Sequence, residues 1–165
     1  MKLGFKKVHP DAKLPSYAHE GDAGMDVYAV EDVFIPIGVP TIVQTGLVAE
    51  IPMGYELQVR PRSGLALKGV TVFNAPGTID CQYRGPIGII LYVLHGNCVI
   101  TQNDPEWAKI HVSRPLAGIE HVYSIKKGER IAQLVLAPVT RCEPVEISEV
   151  SDTERGVGGF GSTGV

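Results

Sequence analysis

Apolar and polar positions alternate without a fault from Tyr55 to Arg60, the mark of a strand with one face in a core and one in water. Residues 41–51 have similar character, broken at Gly46, where a bulge or bend is expected. Residues 87–94 are apolar on both faces, the pattern of a central strand. Further strands are predicted over residues 25–30, 70–73, 109–112, 121–125, 131–137 and 145–150. The one helix expected is a short piece around residues 64–68. Short strands separated by glycine and proline predict an all-β fold: a sandwich, a jelly roll or a barrel.

Composition narrows this reading. The chain holds 19 glycines and 12 prolines, and its longest stretches free of both, residues 25–35 and 145–155, are eleven residues each. Interior glycine and proline cost a helix about 1 and 3 kcal/mol, so helical bundles and doubly wound α/β folds are excluded. With 44% hydrophobic and 20% charged residues the chain is not a disordered one. Its 165 residues suit one domain, expected over residues 1–154. Two regions depart from the strand pattern. Residues 96–118 read as loop, and residues 155–165 carry five glycines in eleven positions, a flexible arm.

Charge and cysteine usage exclude several classes. A net charge of −3 gives no basic footprint for direct nucleic-acid binding. Cys81, Cys98 and Cys142 are odd in number and lack a C-x-x-C spacing, which points to a reduced, cytoplasmic protein. The N-terminus has no signal-peptide pattern and no run of 18 apolar residues exists, so no membrane partner is expected. The histidines at 9, 19, 95, 111 and 121 form no H-E-x-x-H motif, and G-x-S-x-G is absent. Zinc hydrolysis and serine nucleophiles therefore have no support.

Five segments carry candidate chemistry. Gly21 to Val27 places Asp22 and Asp26 around Gly24, suited to a hard cation through water or to the start of a hairpin. Pro61-Arg62-Ser63-Gly64 combines a cation, a hydroxyl and a glycine at a strand-to-helix junction, an anion pocket or a capped turn. Asn74 to Gly85 offers Asp80 as a general base and Tyr83 as an aromatic wall, though an aspartate there also suits a plain turn. Lys127 to Gln133 reads as a charged turn feeding a buried strand. In the arm, Arg155, Ser162 and Thr163 are donors for an anion and Phe160 is a cover for a flat ligand; alternatively the arm is an unstructured terminus. No lysine follows these glycines, so a Walker site is ruled out.

Taken in order, Asp22-Ala23-Gly24-Met25-Asp26, Pro61-Arg62-Ser63-Gly64-Leu65-Ala66, Gly77-Thr78-Ile79-Asp80 with Tyr83-Arg84-Gly85, Gly128-Glu129-Arg130-Ile131-Ala132-Gln133 and the arm resemble the five motifs of the trimeric dUTPase family. The resemblance runs over nearly the whole chain. It implies a jelly roll or distorted β-barrel with at most one short helix, a homotrimer with sites built from several subunits, and Mg²⁺-assisted hydrolysis of dUTP to dUMP and pyrophosphate. Asp80 then corresponds to the base for the water attacking the α-phosphorus, and Tyr83 to the residue packed on deoxyribose. The hairpin with Asn74, Gly77 and Ile79 corresponds to the uracil reader, largely through its main chain. Arg62, Ser63, Gly64 and Gln133 match phosphate contacts, and Asp26 matches the carboxylate that holds metal-bound water. Arg155, Gly161, Ser162 and Thr163 match contacts to the γ-phosphate, with Phe160 over uracil and the arm acting as a lid.

Two departures stand out. The family usually has an acidic residue after Tyr83-Arg84-Gly85, and here it is Pro86, for which a changed trimer contact is expected. Tyr83 and Arg130 are 47 positions apart. The compact family pattern is shorter by about two dozen residues, more than an ordinary loop. The extra material falls within residues 92–123, as in some phage members, and is either a tolerated excursion or a surface for a protein partner. Two other functions share the resemblance: a dCTP deaminase, against which the complete arm argues, and a nucleotide-sensing regulatory protein.

Overall fold

The computed structural model describes residues 1–94 and 122–158. Strand β6 (Tyr55–Arg60) follows the alternation: Leu57 and Val59 are buried, while Arg60 is exposed. It lies inside a four-stranded antiparallel sheet between β11 (Arg130–Pro138) and β8 (Gly77–Ile79), with β2 (Met25–Tyr28) at the far edge beyond β11. A three-stranded sheet is formed by β4 (Thr41–Gln44), β9 (Gly88–Val93) and β7 (Val70–Val72), with β9 in the middle as its apolar run predicts. Two further antiparallel pairs join β1 (Gly4–Lys7) to β5 (Leu47–Glu50), and β3 (Val33–Pro36) to β10 (Val122–Ile125). All four sheets contribute to one core, built around Ile35, Leu47, Leu57, Ile89, Leu91, Ile125 and Leu134.

Gly46 separates β4 from β5. Its φ is +65°, and a Cβ there would stand 2.6 Å from the Cβ of His9 and 2.9 Å from Val30. Both the left-handed backbone and the close packing require glycine. The helix α1 (Ser63–Ala66) begins one residue earlier than its pattern suggests and ends sooner. Its exit tightens into i→i+3 bonds, Lys68 N–H to Leu65 and Gly69 N–H to Ala66, before Gly69 turns away at φ +79°.

Three short strands, β1, β3 and β8, escaped the sequence pattern. Residues 145–150 correct it in the other direction: they form no strand and are exposed, with Val145 at 72%, Ile147 at 61% and Val150 at 81%. A strand exists only against a partner edge, and among the described residues of one chain no ladder reaches this segment. The strand predicted over 109–112 and the loop over 96–118 lie outside the described residues.

Candidate functional site

The register of the four-stranded sheet dictates which side chains share a face. Asp26 pairs with Gln133, which pairs in turn with Arg60, so these three form one row across β2, β11 and β6. Adjacent residues alternate sides, and Met25, Leu134 and Val59 fill the core from the opposite face. Gly24 lets Gln133 lie close: a Cβ on it would come within 3.0 Å of the Gln133 Cβ.

Asp26 is 4% exposed, and its charge is met from two sides. Arg62 Nε donates to Oδ1 at 2.9 Å and Arg130 Nη1 donates to Oδ2 at 3.1 Å. Arg62 also donates through Nη1 to the Arg130 carbonyl at 3.2 Å. A buried carboxylate without partners costs several kcal/mol, and two guanidiniums with good geometry offset that cost. Arg62 occupies the N-cap of α1 in extended conformation (φ −98°, ψ 132°), with Ser63 and Gly64 exposed just beyond it. Sequence reading missed Arg130 as a member of this cluster. Along the chain it belongs to a charged turn, and only tertiary pairing joins it to Asp26, 104 positions away.

The second cluster stands at the other end of β8. Asp80 follows Ile79 directly, is exposed, and opens a turn closed by Tyr83 N–H to its carbonyl at 3.0 Å. Arg84 Nη1 donates to the carbonyls of Cys81 at 2.7 Å and Tyr83 at 3.0 Å, and Tyr83 Oη donates to the Pro86 carbonyl at 3.1 Å. Thr78, Asp80, Tyr83 and Pro86 line a cleft of about 200 Å³ with Ile79, Ile87 and Gly88. Asn74 is exposed on the hairpin leading into β8, its side chain against the buried Gly77, where an added Cβ would lie 3.2 Å from Asn74 Nδ2.

One chain does not bring the two clusters together. Asp80 lies one residue past the Leu57–Ile79 pair, whereas Asp26 stands in the Gln133–Arg60 row, across three strands. Four residues along and three strands across, ladder spacings put the Asp26 row and the turn that follows β8 roughly 20 Å apart. Arg155 is exposed, its Nε donating to the Gly158 carbonyl at 2.9 Å. Phe160, Gly161, Ser162 and Thr163 lie outside the described residues.

Among the described residues no three His, Cys, Asp or Glu side chains gather as a ready metal cage. Mg²⁺ does not need one, since it keeps several waters and binds through one or two carboxylates and substrate phosphates. Asp26 fits such an outer role: each of its oxygens accepts one arginine bond and retains a lone pair for a water.

A family model described as dUTPase matches residues 10–120 and 117–164. The deoxyuridine 5'-triphosphate nucleotidohydrolase of Picosynechococcus sp. is 48% identical over 165 residues, covering 99% of each chain. That of Nautilia profundicola is 47% identical over 165 residues, with the same coverage. Among solved structures, the Staphylococcus bacteriophage 80alpha dUTPase with dUpNHpp matches with a TM-score of 0.80 at 29% identity over 99% of both chains. A mutant dUTPase from phage phi11 of S. aureus, described as coordinating a structural Mg(II) ion, matches with a TM-score of 0.72 at 25% identity. It covers 90% of this chain and 98% of that one. These TM-scores show that the all-β architecture, with one short helix among the described residues, belongs to the same fold as those structures.

Proposed function

Because the chain belongs to the dUTPase family, we propose that it converts dUTP to dUMP and pyrophosphate at a site shared between neighbouring copies in a homotrimer. What supports the shared site is the register of the sheet, which sets the Asp26 row and the turn carrying Asp80 roughly 20 Å apart. A single α-phosphate cannot bridge that gap, whereas the Asp80 end of one copy can meet the Arg62 end of the next. The exposed strand-like segment around Val145, Ile147 and Val150 supports assembly as well, since among the described residues no strand edge of its own chain pairs with it.

Asp80 accepts the proton of a water as its oxygen bonds to the α-phosphorus. The bond from that phosphorus to the bridging oxygen of the β-phosphate breaks, and pyrophosphate departs with the electron pair. Asp80 is exposed at the rim of a cleft, open to a water and a phosphate together. Tyr83, pinned by the Pro86 carbonyl, presents its ring to deoxyribose and leaves no room for a 2′-hydroxyl. The hairpin with Asn74, Gly77 and Ile79 takes uracil. Arg62, held by Asp26, binds phosphate together with Ser63, Gly64 and Gln133. The arm residues Arg155, Phe160, Gly161, Ser162 and Thr163 close over base and γ-phosphate, forming a lid after residue 154. Asp26 would hold Mg²⁺ through water, and the ion would supply neutralisation of the phosphate charge. Catalysis of this kind rests on positioning and electrostatics.

The free thiols Cys81 and Cys142 agree with a reducing cytoplasm. The extra material within residues 92–123 reads as a tolerated excursion, because the Picosynechococcus relative aligns over 165 residues and has room for it. Asp80→Asn tests the base: turnover of dUTP falls by about 10³-fold or more while equilibrium binding of dUTP persists. Unchanged turnover would remove Asp80 from the role.

A further inference from the structure

Arg60 is a cation beside the Asp26–Gln133 row with no role in the hydrolysis set out above. It stands directly opposite Gln133 in the ladder and exposed to solvent. Directly opposed residues have Cβ atoms about 5 Å apart, so whatever Gln133 touches lies within reach of the Arg60 side chain. Arg62 and Arg130 are both bound to Asp26, but among the described residues no carboxylate lies within ion-pair distance of Arg60. Among the described residues its hydrogen bonds run back along its own strand, from Nε at 3.0 Å and Nη2 at 2.7 Å to the single oxygen Oε1 of Gln58. Gln58 is itself oriented by a bond from Nε2 to Glu56 Oε1 at 2.6 Å. The guanidinium faces an open cleft of about 440 Å³ lined by Gln58, Arg60, Pro61, Ala75 and Pro76.

We propose that Arg60 is a further phosphate-binding residue, held against Gln58 in the free chain and turning to the β- and γ-phosphates when the nucleotide binds. The inference rests on the reading that Gln133 and Ser63 mark the phosphate path. A neutral amide oxygen shared by two N–H groups is a weak hold on a guanidinium. Phosphate offers two charged acceptors in the fork geometry that arginine matches, with bonds roughly twice as strong as neutral ones. The exchange therefore runs toward phosphate when the triphosphate arrives. The local charge agrees: Asp26 offsets one of its two arginines, and Arg60 adds a cation two residues before Arg62. The terminal phosphates, which carry most of the nucleotide charge, are the partners that need it.

Steady-state hydrolysis of dUTP, with inorganic pyrophosphate and dUMP as product inhibitors, tests this on Arg60→Gln, Gln58→Ala and Gln133→Ala, each sized by light scattering. In Arg60→Gln the KM for dUTP and the inhibition constant of pyrophosphate both rise about tenfold, the size of one charge-assisted bond, while the constant for dUMP stays put. Gln58→Ala, which only frees the arginine, does not raise KM. The proposal is overturned if Arg60→Gln leaves pyrophosphate inhibition unchanged while Gln133→Ala weakens it. It is equally overturned if Gln58→Ala harms KM as much as Arg60→Gln does, because the three side chains are then a structural strut. If neither Arg60→Gln nor Gln133→Ala affects pyrophosphate, the phosphate path itself has been misread.

Discussion

Gly85 shows how one missing side chain makes room for another. A Cβ at that position would collide with the ring and hydroxyl of Tyr83, which lies back over this backbone to reach the Pro86 carbonyl. The Tyr83 ring, proposed above to face the sugar, thus has room only because Gly85 carries no side chain. Gly85→Ala expels the ring from this position without touching Asp80. The expected outcome is a preference for dUTP over UTP reduced by about tenfold, read from the ratio of kcat/KM values for the two nucleotides. An unaltered ratio would show that the ring position does not select the sugar. Pro86 itself acts here only through its main-chain carbonyl, and that is why the departure from an acidic residue leaves the Tyr83 contact standing.

At the scale of elements, the turn between β10 and β11 shows a charge device outside the site. Asp32 accepts the Lys127 N–H at 2.7 Å and Lys126 Nζ at 3.1 Å. The main-chain bond from Lys127, then the Lys126 bond, hold its carboxyl below the usual carboxylate range. A depressed folded-state value means the stabilisation is complete above the unfolded pKa of about 3.9 and fades as pH falls through the lower folded value. Asp32 is about half exposed, so screening limits the effect to about 1 kcal/mol at most. Asp32→Asn should therefore lower the thermal midpoint at pH 7, with the gap to wild type narrowing once the pH falls below the unfolded value of about 3.9. A gap that persists unchanged into acid would mean the carboxylate charge plays no part. Other elements show how far periodicity reaches. Strand β6 was legible because its two faces meet different solvents, and β9 because its centre position buries both edges. The strands β1, β3 and β8 are three or four residues long, and it is their ladders that define them. Residues 145–150 carry a strand pattern without a strand, since pattern records propensity and pairing needs an edge.

For the whole molecule, the decisive quantity is the separation of the two clusters. If sites form between copies, Asp80→Asn and Arg62→Ala chains, each inactive alone, should regain turnover when unfolded and refolded together. Random mixing in a trimer predicts recovery on the order of a quarter of wild type. Failure to recover, with mixed trimers verified by mass spectrometry, would place both residues in one chain's site. Arg130 belongs to the same lesson. Its motif was visible in the chain, but its part in holding Arg62 through Asp26 was not.

By itself the sequence determined the all-β class, the positions of the turns and the ordered set of motifs that carry the family likeness. These are local properties, written in alternation over a few residues and in glycines that fit tight backbone. Only the tertiary structure decided that Arg62 and Arg130 converge on Asp26 from 36 and 104 positions away. It likewise decided that Arg60 faces outward beside Gln133, and that Asp80 stands at the opposite end of the same sheet. The reason is physical: strand register and burial couple residues through hydrogen bonds between distant segments, and no periodicity along a single chain records which edges will meet.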